Sequence, residues 1–329
     1  MRRSRSRRGC SPRGRAWRVA KGLNAWHSPM AKAVFTTRVS PAYNDVPEQF
    51  YHFPSTYRRQ VEAAVGDMIV YYEPRRSGSE FNSALGRQAY FAVATVSRIR
   101  SDPSRADHFY ADIENYLDFA RAVPFKLGNT FLESALERED SQTNKGAFGR
   151  SVRILPEHEF AAIWSAGFPA MAQGEFTPIR TSEFSFAEGD QTPYERPIVQ
   201  TLISRPFREE SFRRHVRAAY DNRCAVTGLR LINGGGRPEV QAAHIMPVAS
   251  RGPDSVRNGL ALSGTVHWLF DRGLISIADD LSLIAPAKLI PDALGGLVQH
   301  GRPLFTPLDK AALPHRSFIE HHRNHIFKG

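Results

Sequence analysis

Between residues 31 and 168 the apolar positions fall into short runs rather than helical stripes. AVFTTRV (33–39), GDMIVYYE (66–73), AYFAVATVSRI (89–99), HFYADIENYLDF (108–119) and GRSVRILP (149–156) are β-branched or aromatic stretches divided by Pro, Gly, Asn and Asp, and each predicts a strand. YRRQVEAAV (57–65) and EHEFAAIWSAGF (157–168) have helical spacing instead. Several short strands with a few helices fit a small, partly closed barrel. Residues 169–198 show no sustained period and are rich in Gly, Pro, Thr and Glu, as a linker would be.

The pattern changes after residue 198. SFRRHVRAAYDNRC (211–224) predicts an amphipathic helix with Phe212, Val216, Ala219 and Tyr220 on its apolar side. EVQAAHIM alternates, with Val240, Ala242 and His244 on one face and Glu239, Gln241 and Ala243 on the other, so His244 ends a strand. Pro247 and Gly252-Pro253-Asp254 then make a loop, with Asn258-Gly259 at its far end. Ser263 or Thr265 caps a helix carrying His267 and Asp271 at i and i+4. The predicted order is strand, loop, helix, with Gly234-Gly235-Gly236 joining that strand to a second one before it. HRSFIEHHRNHIFKG predicts a last helix packed through Phe318, Ile319 and Ile326. The fold class expected is α+β in two domains, 31–168 and 199–329, joined by 169–198.

Composition adds limits. A chain of 329 residues is long enough for two separate cores. Two cysteines argue against a disulfide framework, and no apolar run approaches the roughly 20 residues that span a bilayer. A soluble cytoplasmic protein with no membrane partner is the expectation. The net charge of +11 suggests a nucleic-acid binder until it is divided: residues 1–30 hold eight Arg, one Lys and no acid, while 31–329 carry 35 basic and 33 acidic residues. That basic extension reads as a disordered arm on phosphates, as a transit peptide, or, the reading favoured, as translated upstream sequence before a true start at Met30.

His244, Asn258 and His267 stand 14 and 9 positions apart, at a strand end, in a loop and on a helix. With AAHI, NGLAL and HWLFDRGL, this order resembles the HNH (ββα-metal) nucleases over roughly residues 205–285. Phosphodiester hydrolysis needs a nucleophile made from water, and a neutral imidazole can take that proton, which makes His244 the candidate general base. His267 and Asp271 offer a nitrogen and an oxygen to a divalent cation, Mg²⁺ first, with Mn²⁺, Co²⁺ or Ni²⁺ as alternatives. Asp271 could equally be a surface residue paired with Arg272. The resemblance implies that Asn258 holds the loop and orients His244 by side-chain hydrogen bonds, and that the products carry 5′-phosphate and 3′-hydroxyl ends; an ordinary Asn-Gly turn is the plain alternative for Asn258. Many HNH sequences carry Asp or His just before the base as a metal ligand, and here that place holds Ala243. Cys224 has no second cysteine near it, so the zinc clamp of many relatives cannot be built. The histidines of the last helix are a weaker second candidate for metal.

VSPAYNDVPEQFYHFPSTY, GDMIVYYEPRR and AYFAVATVSRI resemble the PUA-like superfamily, and within it the EVE and YTH-related readers of modified bases. Such a reader takes a base out of the stack and holds it between aromatic rings. Tyr43, Tyr51, Phe53 and Tyr116 are the candidates for that pocket, each weighed against simple barrel packing. Arg75, Arg76, Arg213, Arg214 and Arg217 are candidate contacts to the DNA backbone. Together the two resemblances imply a modification-dependent restriction endonuclease of the EVE-HNH type. It would cut double-stranded DNA near 5-methylcytosine or 5-hydroxymethylcytosine, through a flexible joint between reader and cutter. One HNH centre cuts one strand, so a homodimer is expected. The rivals are an HNH nicking or phage-type nuclease without modification dependence, and a nucleic-acid-binding protein whose nuclease fold is catalytically dead.

Overall fold

The computed structural model describes residues 31–37, 46–74, 88–169 and 204–329. The stretch 1–30, residues 170–198 of the predicted linker, Tyr43, Arg75 and Arg76 lie outside the described residues. No helix among the described residues is long and apolar enough to cross a membrane.

The first half is built on one mixed sheet. Its strands are β1 (Ala33–Thr36), β2 (Phe50–Pro54), β3 (Met68–Glu73), β4 (Ala89–Ser101) and β5 (His108–Pro124); a small hairpin of β6 (Lys126–Leu127) and β7 (Thr130–Phe131) precedes β8 (Val152–Ile154). The sheet order is β2-β5-β4-β3-β1-β8, with only β1 and β3 parallel. Helices α1 (Arg58–Ala63), α2 (Lys145–Phe148) and α3 (Glu157–Gly167) pack around it. Every strand predicted from the runs of apolar residues forms. Strand β2 was not predicted, because its three central residues are all buried and no alternation marks it.

The sheet curls without closing. Tyr51 on β2 places its hydroxyl between the carbonyls of Thr36 (3.2 Å) and Ser151 (3.3 Å), and its ring lies 4.7 Å from Phe35. Side chains therefore bridge the two edges where no backbone ladder does, and the result is a half-barrel. A buried ion pair pins the far strands. The Arg153 guanidinium on β8 donates to both Glu133 oxygens at 2.7 Å, and the Tyr90 hydroxyl donates to Glu133 at 2.6 Å. Burial raises the Tyr90 phenol well above its ordinary value, and the Glu133 charge raises it further.

The second half opens with α4 (Arg205–Ala219), which starts earlier than its apolar stripe suggests because Pro206 fits the first turn of a helix. Strands β9 (Gln241–His244) and β10 (Gly259–Leu262) pair antiparallel, and α5 (Gly264–Asp271) follows. Two expectations are corrected here. A second strand stands between loop and helix; it is short and wholly buried, so it carries no period-two signal. The two strands of this unit are joined by residues 245–258, whereas Gly234-Gly235-Gly236 belongs to a smaller turn closed by Asn233, whose side chain accepts from Gly235 and Arg237. The short pair β11 (Ser276–Ile277) and β12 (Leu283–Ile284) and the last helix α6 (Arg316–His325) complete the half.

The halves share more than a connecting segment. Val46 belongs to the core of the second half, and Phe207 of α4 packs in the core of the first, 5.9 Å from Phe168. Buried Glu48 accepts from Arg257 at 3.1 Å across the boundary. A cutter tethered only by a flexible joint is not what these contacts describe.

Helix α5 is anchored from below by His322 of α6. That imidazole is buried, stacks on Phe270 at 3.9 Å, accepts from Ser276 and donates to the Phe270 carbonyl at 3.1 Å. Burial pushes it down to about 4, against a smaller upward pull from the Phe270 carbonyl. The folded state therefore binds fewer protons than the unfolded chain between about pH 6.5 and 4, and stability falls as pH drops through that window. The residue's share is up to about 1.4 kcal/mol per pH unit. Urea unfolding of the parent and of His322→Gln should show a shallower acid decline in the variant; parallel declines would contradict this account.

Candidate active site

The site begins with a clasp. Asn258 is fully buried at the end of the 245–258 loop. Its side-chain oxygen accepts from the Met246 amide at 2.8 Å, and its amino group donates to the carbonyls of Met246 and Pro253, both at 3.0 Å. Three bonds from one side chain draw the two ends and the middle of the loop together. The loop crosses itself so closely that a Cβ on Gly252 would stand 1.8 Å from the Met246 carbonyl oxygen, so only glycine fits. Asn258 was expected to orient His244 through side-chain hydrogen bonds. Its partners are instead the backbone beyond His244.

The group that does touch the ring is Asp254. His244 Nε2 lies 3.0 Å from Asp254 Oδ1, and the ring stacks on Phe212 of α4 at 3.9 Å and 12°. Arg208, also on α4, donates to the other Asp254 oxygen at 3.2 Å. Burial alone would raise the Asp254 carboxyl, but hydrogen bonds and charge from His244 and Arg208 hold it below the ordinary aspartate value. An ionised carboxylate at Nε2 fixes the proton there and leaves Nδ1 as the basic nitrogen. A side chain held on one face by an aromatic ring and on one edge by a carboxylate has the geometry of an oriented general base. Sequence reading treated Asp254 as a turn residue, because Gly-Pro-Asp is a turn signal and nothing local points from it to His244.

His267 sits on α5 with its own partners. Its Nδ1 is 2.8 Å from the Gln241 side-chain oxygen on β9, and its Nε2 is 3.3 Å from Asp271 Oδ2. With Nδ1 donating to Gln241, the Nε2 lone pair faces a carboxylate oxygen, an arrangement completed by a proton or a cation between them. Asp271 faces His267 rather than the alternative Arg272. The donor set therefore fits two ligands of a divalent ion, though among the described residues no three His, Cys, Asp or Glu side chains gather. Ala243 is fully buried in the core, so no ligand comes from that position. The last helix supplies no second site: His315 caps it, His322 is buried and His321 stacks on His325 at 4.4 Å. Ser263 holds the N-cap position of α5 without a side-chain bond; the Glu239 carboxylate accepts from the Gly264 amide instead, at 2.9 Å.

His244 and His267 thus occupy separate settings. Their rings share no hydrogen bond or stacking contact, and β9 links them, with Gln241 beside His267 at its start and His244 at its end. Arg213 and Arg217 line a cleft of about 960 Å³ together with Arg237, Gln241 and His267. Both are partly neutralised there, Arg213 by Glu209 and Arg217 by Glu210, at 3.5 and 4.0 Å. Arg214 is outside the residues that line this cleft.

The base pocket drawn from sequence is corrected. Tyr51 and Phe53 point into the half-barrel, at 2% and 0% exposure, and Tyr116 is 4% exposed with its hydroxyl donating to Asp118 at 2.9 Å. Inward registry on β2 and β5 makes them core residues. Tyr43, Arg75 and Arg76 lie outside the described residues.

Replacing Asn258 leaves a buried amide and two carbonyls without partners. Asn258→Ala should lower stability in urea unfolding by about 3 kcal/mol, and a loss under about 1 kcal/mol would show that the clasp does not hold the loop.

Residues 224–278 match the family model described as HNH endonuclease. No curated protein matches the chain. Among solved structures, a modification-dependent TagI restriction endonuclease aligns at 16% identity and TM-score 0.29, covering 89% of this chain and 81% of its own. The N-terminal domain of Staphylothermus marinus McrB aligns at 12% identity and TM-score 0.30, covering 41% and 94%. Both overlays are too loose to carry an argument, and the assignment rests on the family match. The segment from Cys224 to Ala278, which holds His244, Asn258, His267 and Asp271, is an HNH endonuclease domain.

Proposed function

We propose that the protein is a DNA endonuclease that hydrolyses phosphodiester bonds near a modified cytosine, 5-methylcytosine or 5-hydroxymethylcytosine. One observation carries the nuclease reading: within a matched HNH segment, His244 is stacked on Phe212 and hydrogen-bonded to an ionised Asp254. His244 Nδ1 takes the proton of the attacking water, and the Asp254 carboxylate stabilises the imidazolium that forms. His267 and Asp271 would hold a divalent cation, Mg²⁺ or Mn²⁺, which when bound supplies Lewis-acid stabilisation of phosphoryl charge. Gln241 keeps the His267 proton on Nδ1, so its Nε2 stays available as a ligand. Arg213, Arg217 and Arg237, which line the cleft beside His267, bind backbone phosphates. Cutting both strands of a duplex takes two such centres or two encounters.

Modification dependence rests on the phrases YHFP and GDMIVYYEP of the first half and their resemblance to PUA-like readers. A second reading, an HNH nuclease indifferent to modification, is favoured by one finding: Tyr51 and Phe53 pack the half-barrel rather than line an open pocket.

Matched plasmids with and without cytosine methylation, incubated with parent and His244→Ala in Mg²⁺ or Mn²⁺, separate the readings. The parent should cut the methylated plasmid at least about tenfold faster, and His244→Ala should cut neither. Equal cutting of both plasmids would establish the second reading. Binding without cutting in either metal would refute the nuclease reading altogether.

A further inference from the structure

The carboxylate that orients His244 is itself held from the other half of the molecule. Strand β5 pairs with β4 up to Glu114 opposite Thr95, with one shift between Val96 and Arg98, and resumes at Leu117 opposite Val93. Asn115 and Tyr116 form the bulge between, and Asn115 adopts the left-handed conformation, φ 52°. A bulge redirects side chains, and asparagine tolerates this backbone better than most residues. Its effect here is to aim the Asn115 carboxamide at the nuclease: Asn115 Oδ1 accepts from Arg208 Nη1 at 2.6 Å. The same guanidinium donates through Nε to Asp254, which in turn holds His244.

The chain on either side of Asp254 is gripped by the same half. Leu117 bridges to Asp254 in parallel register, and Asp118 Oδ2 accepts from the Val256 amide at 2.9 Å. Glu48, fully buried, accepts from Arg257 at 3.1 Å and from Ser255 at 3.4 Å. Asn115, Tyr116, Arg208 and Asp254 also line one cleft of about 810 Å³ between the sheet and the loop.

We propose that the first half supplies part of the nuclease site: Asn115 is a positioning residue that acts through Arg208 and Asp254 on the His244 ring. The proposal rests on His244 being the base. Phe212 confines the imidazole to a plane but accepts either of its two flipped orientations about Cβ–Cγ, and the Asp254 contact sets which way Nδ1 points. The loop's backbone is held by the contacts above, Arg208 holds the Asp254 carboxylate itself, and Asn115 holds Arg208 through Nη1 while Asp254 takes Nε. The matched HNH segment, taken alone, lacks both Asn115 and Arg208.

The test uses the full chain and DNA that the parent cuts, measuring kcat and KM with thermal midpoints as a check on folding. Asn115→Gly keeps the left-handed backbone and removes only the side chain. It should lower kcat on the order of 10- to 100-fold and leave KM within about twofold. Asn115→Asp restores an acceptor for Arg208 and should recover most of the parent rate. Arg208→Lys keeps the charge but loses the two-armed reach, and should resemble Asn115→Gly even if the latter folds poorly. Asn115→Gly or Arg208→Lys at the parent rate would overturn the relay while leaving the nuclease reading intact. Equal loss in Asn115→Gly and Asn115→Asp would show a merely structural residue and also overturn it. An inactive parent, or an active His244→Ala, would overturn the reading beneath it and the relay together.

Discussion

The side chain of Asn258 is the constraint on which the site depends. Its three bonds to Met246 and Pro253 convert the 14 residues after His244 from an open connection into a folded lobe. Folding the lobe returns Asp254, ten residues beyond His244 in sequence, to hydrogen-bond distance of the ring. Without the clasp, the entropy of a loop this long would leave the carboxylate without a fixed position. Gly252 makes the lobe possible by letting the chain pass against the Met246 carbonyl. Labour in the site is thus divided: Asn258 shapes the backbone, and an aspartate in the loop meets the imidazole.

Much of the architecture was legible. The β-rich first half, its two larger helices, the helix before the motif and the strand ending at His244 all follow from spacing, because each has one buried and one solvated face or a clear stop signal. Strands β2 and β10 escaped because both are short and buried on both faces, so the alternation that reveals a strand is absent. In the site, residue types and order announced His244, Asn258 and His267, and the family match covers all three. Asp254 and Arg208 did not announce themselves. Their role depends on a loop fold and a helix contact that no local pattern encodes, and Arg208 lies ahead of the helix that the spacing predicts at 211–224. Tyr51 and Phe53 missed the pocket for a related reason: an aromatic looks alike in sequence whether it faces a ligand or a core, and registry decides it.

The contact between the halves changes how the molecule is understood. A reader and a cutter joined by a flexible segment would couple by raising local concentration alone. Shared cores, the buried Glu48–Arg257 pair and the grip of β5 on residues 254–256 make one continuous body out of the described parts. The first half and the HNH segment are thus joined through hydrogen bonds and shared packing as well as through the chain.

The central claim is that the His244 imidazole accepts the proton of the attacking water, and chemical rescue tests it most directly. His244→Ala leaves a ring-sized gap against Phe212, beside Asp254, where free imidazole can lodge. The account predicts that added imidazole restores DNA cleavage by this variant in a concentration-dependent, saturable way, and that His244→Ala/Asp254→Ala responds far less. Parent-level cleavage by His244→Ala without imidazole would contradict the account.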